Sequence, residues 1–395
     1  MNIMLMRILG PKDFGLYSLF IAMLVIGTVF AGGGIDIPII RLSAPHIRTN
    51  IEESYLVFNV GFKIRFLISL AIAILGFLLS RPVFNTILNR PDLTIPFWFA
   101  LVGILGSAMV SHLLVILQSC EKFGKWALLN LINHVCRITL MILLFLVFSF
   151  KLSNVLTVYV LSFFVSFFIG LMIVDRKFLF ISGEGEKQKA IEILRFGKWI
   201  ILAAIIYHLY IKTGIFILSY FRDPTVVGIY SGAVLFVSAL DLLTVSIFSI
   251  LIPKVCRLTK KEDYLRYLTI CSKASMLYLL PIVILFAFSR PLFLVAGGDQ
   301  YEPSIKLFRI LLFGSFFTVF TCITQLVFYS MNKPQTVTLL FALVFVINSM
   351  ALIAFVPHYG MVGAAYIATI VRFIEAALFS GFVYFYISGM KRRET

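Results

Sequence analysis

The chain reads as an all-α membrane protein, a polytopic helical bundle of about eleven spans. Three observations lead there. Of 395 residues, 61% are apolar and 13% charged, where a soluble domain carries about 25% charged residues. The mean hydropathy is +1.03. The apolar residues fall in runs separated by short polar breaks, and each run has about the 20 residues a helix needs to cross the hydrocarbon core while bonding its own backbone. A water-soluble enzyme is excluded by this composition.

Taken in order, residues 1–15 read as a loop. Spans follow at roughly 16–40, 56–80, 94–117, 126–150, 153–175, 197–218, 226–252, 266–289, 304–330, 334–356 and 361–387. Gly32-Gly33-Gly34 lacks the Lys and Ser/Thr pattern of a phosphate loop and reads as a closely packed helix end. Pro253, Pro281 and Pro357 end or kink helices. Gly360 and Gly363–Ala365, in YGMVGAAY, open the last span with small residues suited to helix packing. The longest break, 176–196, divides the chain near its middle, and its second part, Glu186–Phe196, reads as an amphipathic helix on the inner membrane surface. The expected organisation is an N-terminal lobe at 1–175, a cytoplasmic linker at 176–196 and a C-terminal lobe at 197–395.

The lobes read as repeats. Leu9–Ser18, LGPKDFGLYS, matches Arg222–Ser231, RDPTVVGIYS, at Pro11/Pro224, Gly15/Gly228, Tyr17/Tyr230 and Ser18/Ser231, all at an offset of 213. Ser119 and Lys122 match Ser330 and Lys333 at an offset of 211. Two echoes at nearly equal offsets indicate an internal duplication. Shifted back by 213, the span at 197–218 ends near residue 5. The first lobe is therefore expected to lack its first helix, with MNIMLMRIL as its tail, and the complete unit to hold twelve spans.

Loop charge sets orientation. With Arg41, the loops on the side of 42–55, 118–125, 176–198, 253–266, 331–333 and the C-terminus carry about 19 Lys and Arg, against seven to nine opposite. The basic side is cytoplasmic, which places Lys391, Arg392 and Arg393 inside. The formal charge of +16 is thus read as a topology signal and not as a nucleic-acid footprint. The cysteines, Cys120, Cys136, Cys256, Cys271 and Cys322, lie in or beside apolar runs without metal-ligand spacing. No Ser/His/Asp arrangement or paired catalytic carboxylates stand out, so no enzyme, cofactor or metal is expected.

Charges inside the spans are the candidate functional residues, because each costs about 2.5–3.5 kcal/mol to insert. They are Lys63, Arg65, Arg137, Lys212, Asp241, Lys273, Arg372 and Glu375, with Asp36 and Arg41 near the inner end of the first span. A cavity lined by them is net basic and suits an anion such as a pyrophosphate or an acidic sugar. Lys63, Arg65 and Lys273 also lie close enough to span ends to snorkel. Arg372 and Glu375 are three apart and suited to pair, while Lys212 and Asp241 suit a structural ion pair. His112, His134 and His208 read as core residues.

LGPKDFGLYSLF followed by AGGGIDIPIIRL, then FRDPTVVGIYSGA, LFRIL after GGDQYEPSIK, and YGMVGAAYIATI together resemble the Wzx-type oligosaccharide flippases. These belong to the multidrug/oligosaccharidyl-lipid/polysaccharide (MOP) exporter superfamily. The resemblance covers nearly the whole chain and implies a MATE-like fold of two six-helix lobes around a central cavity that opens alternately to each side. It implies transport of an undecaprenyl-pyrophosphate-linked oligosaccharide between leaflets of the plasma membrane, for O-antigen, lipopolysaccharide or capsule. Arg41, Arg65, Arg137, Lys212, Lys273 and Arg372 would then hold the substrate, and Asp36, Asp241 and Glu375 a coupling ion. The partners it implies are the lipid-linked oligosaccharide, membrane lipids and the polysaccharide polymerase or ligase machinery. Two departures stand out: the missing first helix, and Lys212 and Gly214 where many relatives carry an acid. A drug/cation antiporter or a peptidoglycan-precursor flippase of the same superfamily is the alternative. A membrane-embedded polymerase or ligase fits less well, since the external loops are short.

Overall fold

In the computed structural model the described residues are 1–47, 49–88, 90–147, 151–175, 177–180, 185–255, 258, 260–331 and 333–389. Cys256, the linker residues 176 and 181–184, and the C-terminal Lys391, Arg392 and Arg393 lie outside them. The helices in chain order are α1 (Asn2–Thr28), α2 (Asp36–Ser43), α3 (Ile51–Arg81), α4 (Thr94–Ser119), α5 (Phe123–Val147), α6 (Leu152–Ile173), α7 (Lys177–Phe180), α8 (Glu186–Phe221), α9 (Pro224–Val255), α10 (Lys261–Ser275), α11 (Leu279–Ala287), α12 (Ser289–Gly297), α13 (Glu302–Ser330) and α14 (Pro334–Ser388). No strand occurs among the described residues.

Among the described residues, ten helical segments are long and apolar enough to cross a membrane. The last of them, α14, is two spans in one, because Gly360 inside it has φ 56° and ψ −137°. Breaking there recovers the expected eleven. The break falls at the Pro357–Gly363 stretch, and Pro357 carries no N–H for an intrahelical bond. The Pro357 carbonyl accepts a 2.7 Å hydrogen bond from Arg222 Nη2 instead.

The amino-terminal stretch differs from the loop expected at 1–15 and agrees with MNIMLMRIL as the tail of a helix. Residues 2–10 are helical, and the helix restarts at Pro11 after Gly10, whose φ of 68° breaks the regular turn. Burial explains this. Leu5 and Met6 are fully buried, Arg7 Nη1 donates to the Val295 carbonyl at 2.8 Å, and Phe14 packs edge-on against Tyr301. The amphipathic stretch 186–196 is helical and runs without interruption into the span of α8. Its start is tied to α3: Lys63 reaches Glu186 at 2.8 Å, and Lys189 bridges Glu53 at 2.7 Å and Glu192 at 3.1 Å.

The chain forms two compact units, Met1–Gly15 with Leu209–Thr395, and Leu16–His208. In the second, α4 packs against α3, α5 and α6; in the first, α13 packs against α9, α10 and α14. The duplication is visible in the backbone. In the turn after α4, Cys120 N–H bonds the Ile116 carbonyl at 3.0 Å and Lys122 N–H the Leu117 carbonyl at 2.9 Å. In the turn after α13, Met331 N–H bonds Val327 at 3.0 Å and Lys333 N–H bonds Phe328 at 2.9 Å. These are the same four positions shifted by 211 residues.

The other echo meets itself. The two copies of the repeated turn cross within the first unit, with Gly15 against Pro224 and Gly228 against Pro11. A β-carbon at Gly15 would strike the Pro224 carbonyl oxygen, and one at Gly228 the Pro11 carbonyl oxygen. Glycine at both positions is thus required by main-chain approach, as at other close helix crossings in membranes. Gly228→Ala is expected to cost about 1–3 kcal/mol through overpacking. Gly124→Ala, with open space around it, should stay within about 1 kcal/mol of the parent. Thermal unfolding of the two purified variants in detergent checks the contrast.

Candidate functional site

In the Leu16–His208 unit the site is organised by the glycine run. After α1 the chain makes a π turn, Val29–Gly33, in which Gly32 takes φ 119°, and α2 then begins at Asp36. Asp36 accepts from Arg65 Nη2 of α3, and Arg65 Nη1 donates to Ser111 Oγ of α4 at 3.1 Å. Arg65 is 2% exposed. A β-carbon at Gly32 would stand 3.0 Å from Arg65 Cγ, so the glycine both turns the chain and makes room for the guanidinium. Beside Ser111, His112 is fully buried with its ring 5.5 Å from that of Phe62. Arg41, at the end of α2, stacks its guanidinium 4.3 Å over Phe196 of α8. His46 approaches Glu53 at 3.3 Å, beside the Lys189 bridge.

Arg137 lies between α5 and α6. Nε donates to Ser162 at 3.2 Å, Nη1 to the Tyr159 hydroxyl at 3.1 Å, and Nη2 to Asn133 Oδ1 at 3.2 Å. The guanidinium also sits 4.0 Å over the Tyr159 ring and 4.8 Å over Phe163. Each of its three nitrogens is held by a neighbouring side chain, the geometry in which a buried guanidinium is tolerated.

In the unit of Met1–Gly15 and Leu209–Thr395, three helices converge on a second cluster. Arg372 Nη2 of α14 lies 3.8 Å from Asp241 Oδ2 of α9. Glu375, one turn further along α14 and buried, accepts a 2.8 Å hydrogen bond from the Tyr210 hydroxyl of α8. Arg372 and Glu375, three apart on α14 as the spacing suited for a pair, are thus each also engaged from a different helix. The cation facing Asp241 is Arg372, where the sequence offered Lys212. Gly314 of α13 lets the Arg372 stem lie close, since a β-carbon there would be 3.2 Å from Arg372 Cδ. Lys212 is half-buried on α8, two residues from Tyr210, and Lys273 is exposed in the last turn of α10.

The predicted residues therefore fall into separate groups: Asp36 with Arg65, Asp241 with Arg372 and Glu375, Arg137 with its own cage, and Arg41, Lys212 and Lys273 individually. The sequence reading missed Ser111, Tyr159 and Tyr210. Asn133 stands four residues before Arg137, a spacing that places both on one helix face and was legible. Tyr210 had no such signal, because its partner comes from another helix. Chemically, a guanidinium flanked by two carboxylates can bind an anion, exchange a cation or hold a proton. No nucleophile stands beside a base in these clusters.

Residues 1–259 match the family described as polysaccharide biosynthesis protein. The chain belongs to this family. Across 388 residues it is 25% identical to a Shigella flexneri protein named as an O-antigen transporter, covering 96% of this chain and 91% of that one. Its fold is similar to that of an inward-facing multidrug-resistance MATE transporter of the MOP superfamily, with a TM-score of 0.79 at 16% identity over 100% of this chain and 94% of the other. It is also similar to the lipid II flippase MurJ in an inward closed conformation, with a TM-score of 0.80 at 14% identity over 97% and 84% of the two chains. At these identities the two structures speak for the fold alone. The family member is a multi-pass membrane transporter and not an enzyme.

Removing Asp36 leaves the Arg65 charge buried. Asp36→Ala is expected to cost about 3 kcal/mol, the low end for a broken buried pair, because Asp36 keeps 34% of its side chain exposed. Adding Arg65→Met to that variant should recover most of the loss. A double-mutant cycle read by denaturant unfolding checks this.

Proposed function

We propose that the protein moves a lipid-linked oligosaccharide, carried on undecaprenyl pyrophosphate, from the cytoplasmic to the outer leaflet of the plasma membrane during surface polysaccharide biosynthesis. The observation that carries this reading is the combination of the family match with intramembrane guanidinium groups, Arg65 and Arg372, each facing a carboxylate. A guanidinium already facing a carboxylate can exchange it for a phosphate oxygen, and the released acid is then free to take a proton or cation. Arg41, Lys212, Lys273 and Arg137 supply further positive charge along the substrate's route. Asp36, Asp241 and Glu375 are the coupling acids, and the excess of carboxylate around Arg372 suits them to that role. Transport proceeds by alternating access, as in other repeat-built transporters, with the C-terminus in the cytoplasm. The polysaccharide polymerase or ligase machinery takes the delivered product.

The test uses cells deleted for the gene. Lipid-linked oligosaccharides should accumulate facing the cytoplasm and be relieved by the restored chain. Sugars that reach the outer face but remain unpolymerised would contradict the proposal, and no accumulation at all would favour the drug/cation antiporter. Arg372→Ala and Lys212→Ala should each lower export about tenfold or more at unchanged protein level, the worth of one charge-assisted hydrogen bond. Glu375→Gln should remove the dependence of export on the coupling gradient.

A further inference from the structure

A groove of about 550 Å³ lies in the Met1–Gly15 and Leu209–Thr395 unit, with none of Asp241, Arg372 and Glu375 in its lining. Arg290, Lys306 and Arg309 line it, with the single carboxylate of Glu302 and the rings of Phe286 and Phe313. Three cations against one acid leave it positive.

Its position is set by the chain. The spans Lys261–Ala287 and Asp299–Ser330 flank the connection that bears Arg290, so the mouth of the groove stands at the end of both spans, at the membrane interface. Glu302, Lys306, Arg309 and Phe313 follow at steps of four, three and four residues in α13. That spacing draws one stripe down one helix face, passing from charge at the interface to hydrocarbon deeper in. Arg309 is held in place, with Nε donating to Ser289 Oγ at 2.8 Å and the guanidinium 4.9 Å over Phe286. Phe286 in turn meets Phe313 edge-on at 6.1 Å. Phe313, further along the same span, is 58% exposed.

We infer that this groove binds an anionic phospholipid of the surrounding bilayer, its phosphate against Arg290, Lys306 and Arg309 and an acyl chain along Phe286 and Phe313. The match is one of charge and depth. Basic groups at the headgroup level attract anionic lipid, and Phe286, Ile310 and Phe313, with Tyr366 beside them, offer an acyl chain a largely apolar wall. The inference is independent of which cargo the protein carries.

The experiment uses the full chain purified in uncharged detergent. Phosphatidylglycerol, phosphatidylcholine, undecaprenyl phosphate and inorganic phosphate are each titrated, and the shift in unfolding temperature and the lipid retained in native mass spectrometry are read. Phosphatidylglycerol should raise the unfolding temperature saturably and be retained, and phosphatidylcholine should do neither. The R290Q/K306Q variant should bind phosphatidylglycerol about twentyfold more weakly, from roughly fivefold per basic residue at an anionic surface. Lys122→Gln with Lys125→Gln, of equal charge loss on the turn after α4, should bind as the parent does. If the R290Q/K306Q protein cannot be purified, Lys306→Gln alone should show the fivefold loss. Equal binding of the two phospholipids, or a phosphatidylglycerol affinity unchanged in the groove variants, overturns the inference. So does an equal shift from millimolar inorganic phosphate, which would make the groove a plain anion site, or preferential retention of undecaprenyl phosphate, which would make it a carrier-lipid site.

Discussion

A charge held in hydrocarbon must be answered by another helix, and the interior of this protein is arranged around that requirement. Water cannot solvate Arg65 or Arg137 where they stand, so each is met by side chains that only a second or third helix can bring. Asp36 and Ser111 reach Arg65 from α2 and α4, and Ser162 and Tyr159 reach Arg137 from α6. Those contacts fix which helix faces which. Apolar faces alone would leave that choice open, because lipid tails are as apolar as leucine and give helices no hydrophobic reason to associate.

The duplication separates what the membrane imposes from what transport requires. Repeated along the chain are the hydrogen-bonded turns after α4 and α13 and the glycines of the repeated turn, Gly15 and Gly228. All of these are backbone features, and the backbone is under the same constraint in both copies. The intramembrane charged clusters are not repeated. One unit carries a carboxylate and a guanidinium joined beside a glycine turn. The other carries a guanidinium between two carboxylates, with a tyrosine on one of them. Divergence at these positions on a common frame gives the two clusters different chemistry.

Several features were legible from residues alone. Run length and composition determine the spans, because a helix that crosses lipid has no alternative fold. The Pro11–Gly15 and Pro224–Gly228 echo exposed the repeat, and the rarity of intramembrane charge picked out Arg65, Arg137, Asp241, Arg372 and Glu375. Residues 1–15 read as a loop and MNIMLMRIL as a helix tail, and the choice between them rests on distant contacts, Arg7 with Val295 and Phe14 with Tyr301. Arg372 and Glu375, three apart on α14, also take partners from α9 and α8. Spacing along one helix reports what could meet, while a neighbour on another helix decides what does.

The sequence by itself thus determined the class, the number of spans, the internal repeat and the identity of the buried charges. The repeat shows in the echo itself, and the rest follows from the cost of moving peptide groups and ions out of water, residue by residue. Only the tertiary structure decided the partners: Asp36 and Ser111 for Arg65, Arg372 for Asp241, Tyr210 for Glu375, and the cage around Arg137. It also placed Gly15 against Pro224 and gathered Arg290, Lys306 and Arg309 above an aromatic wall. Pairings of this kind depend on the rotation of each helix about its axis and on its depth in the membrane. Packing between helices sets both, and hydropathy along the chain does not record it.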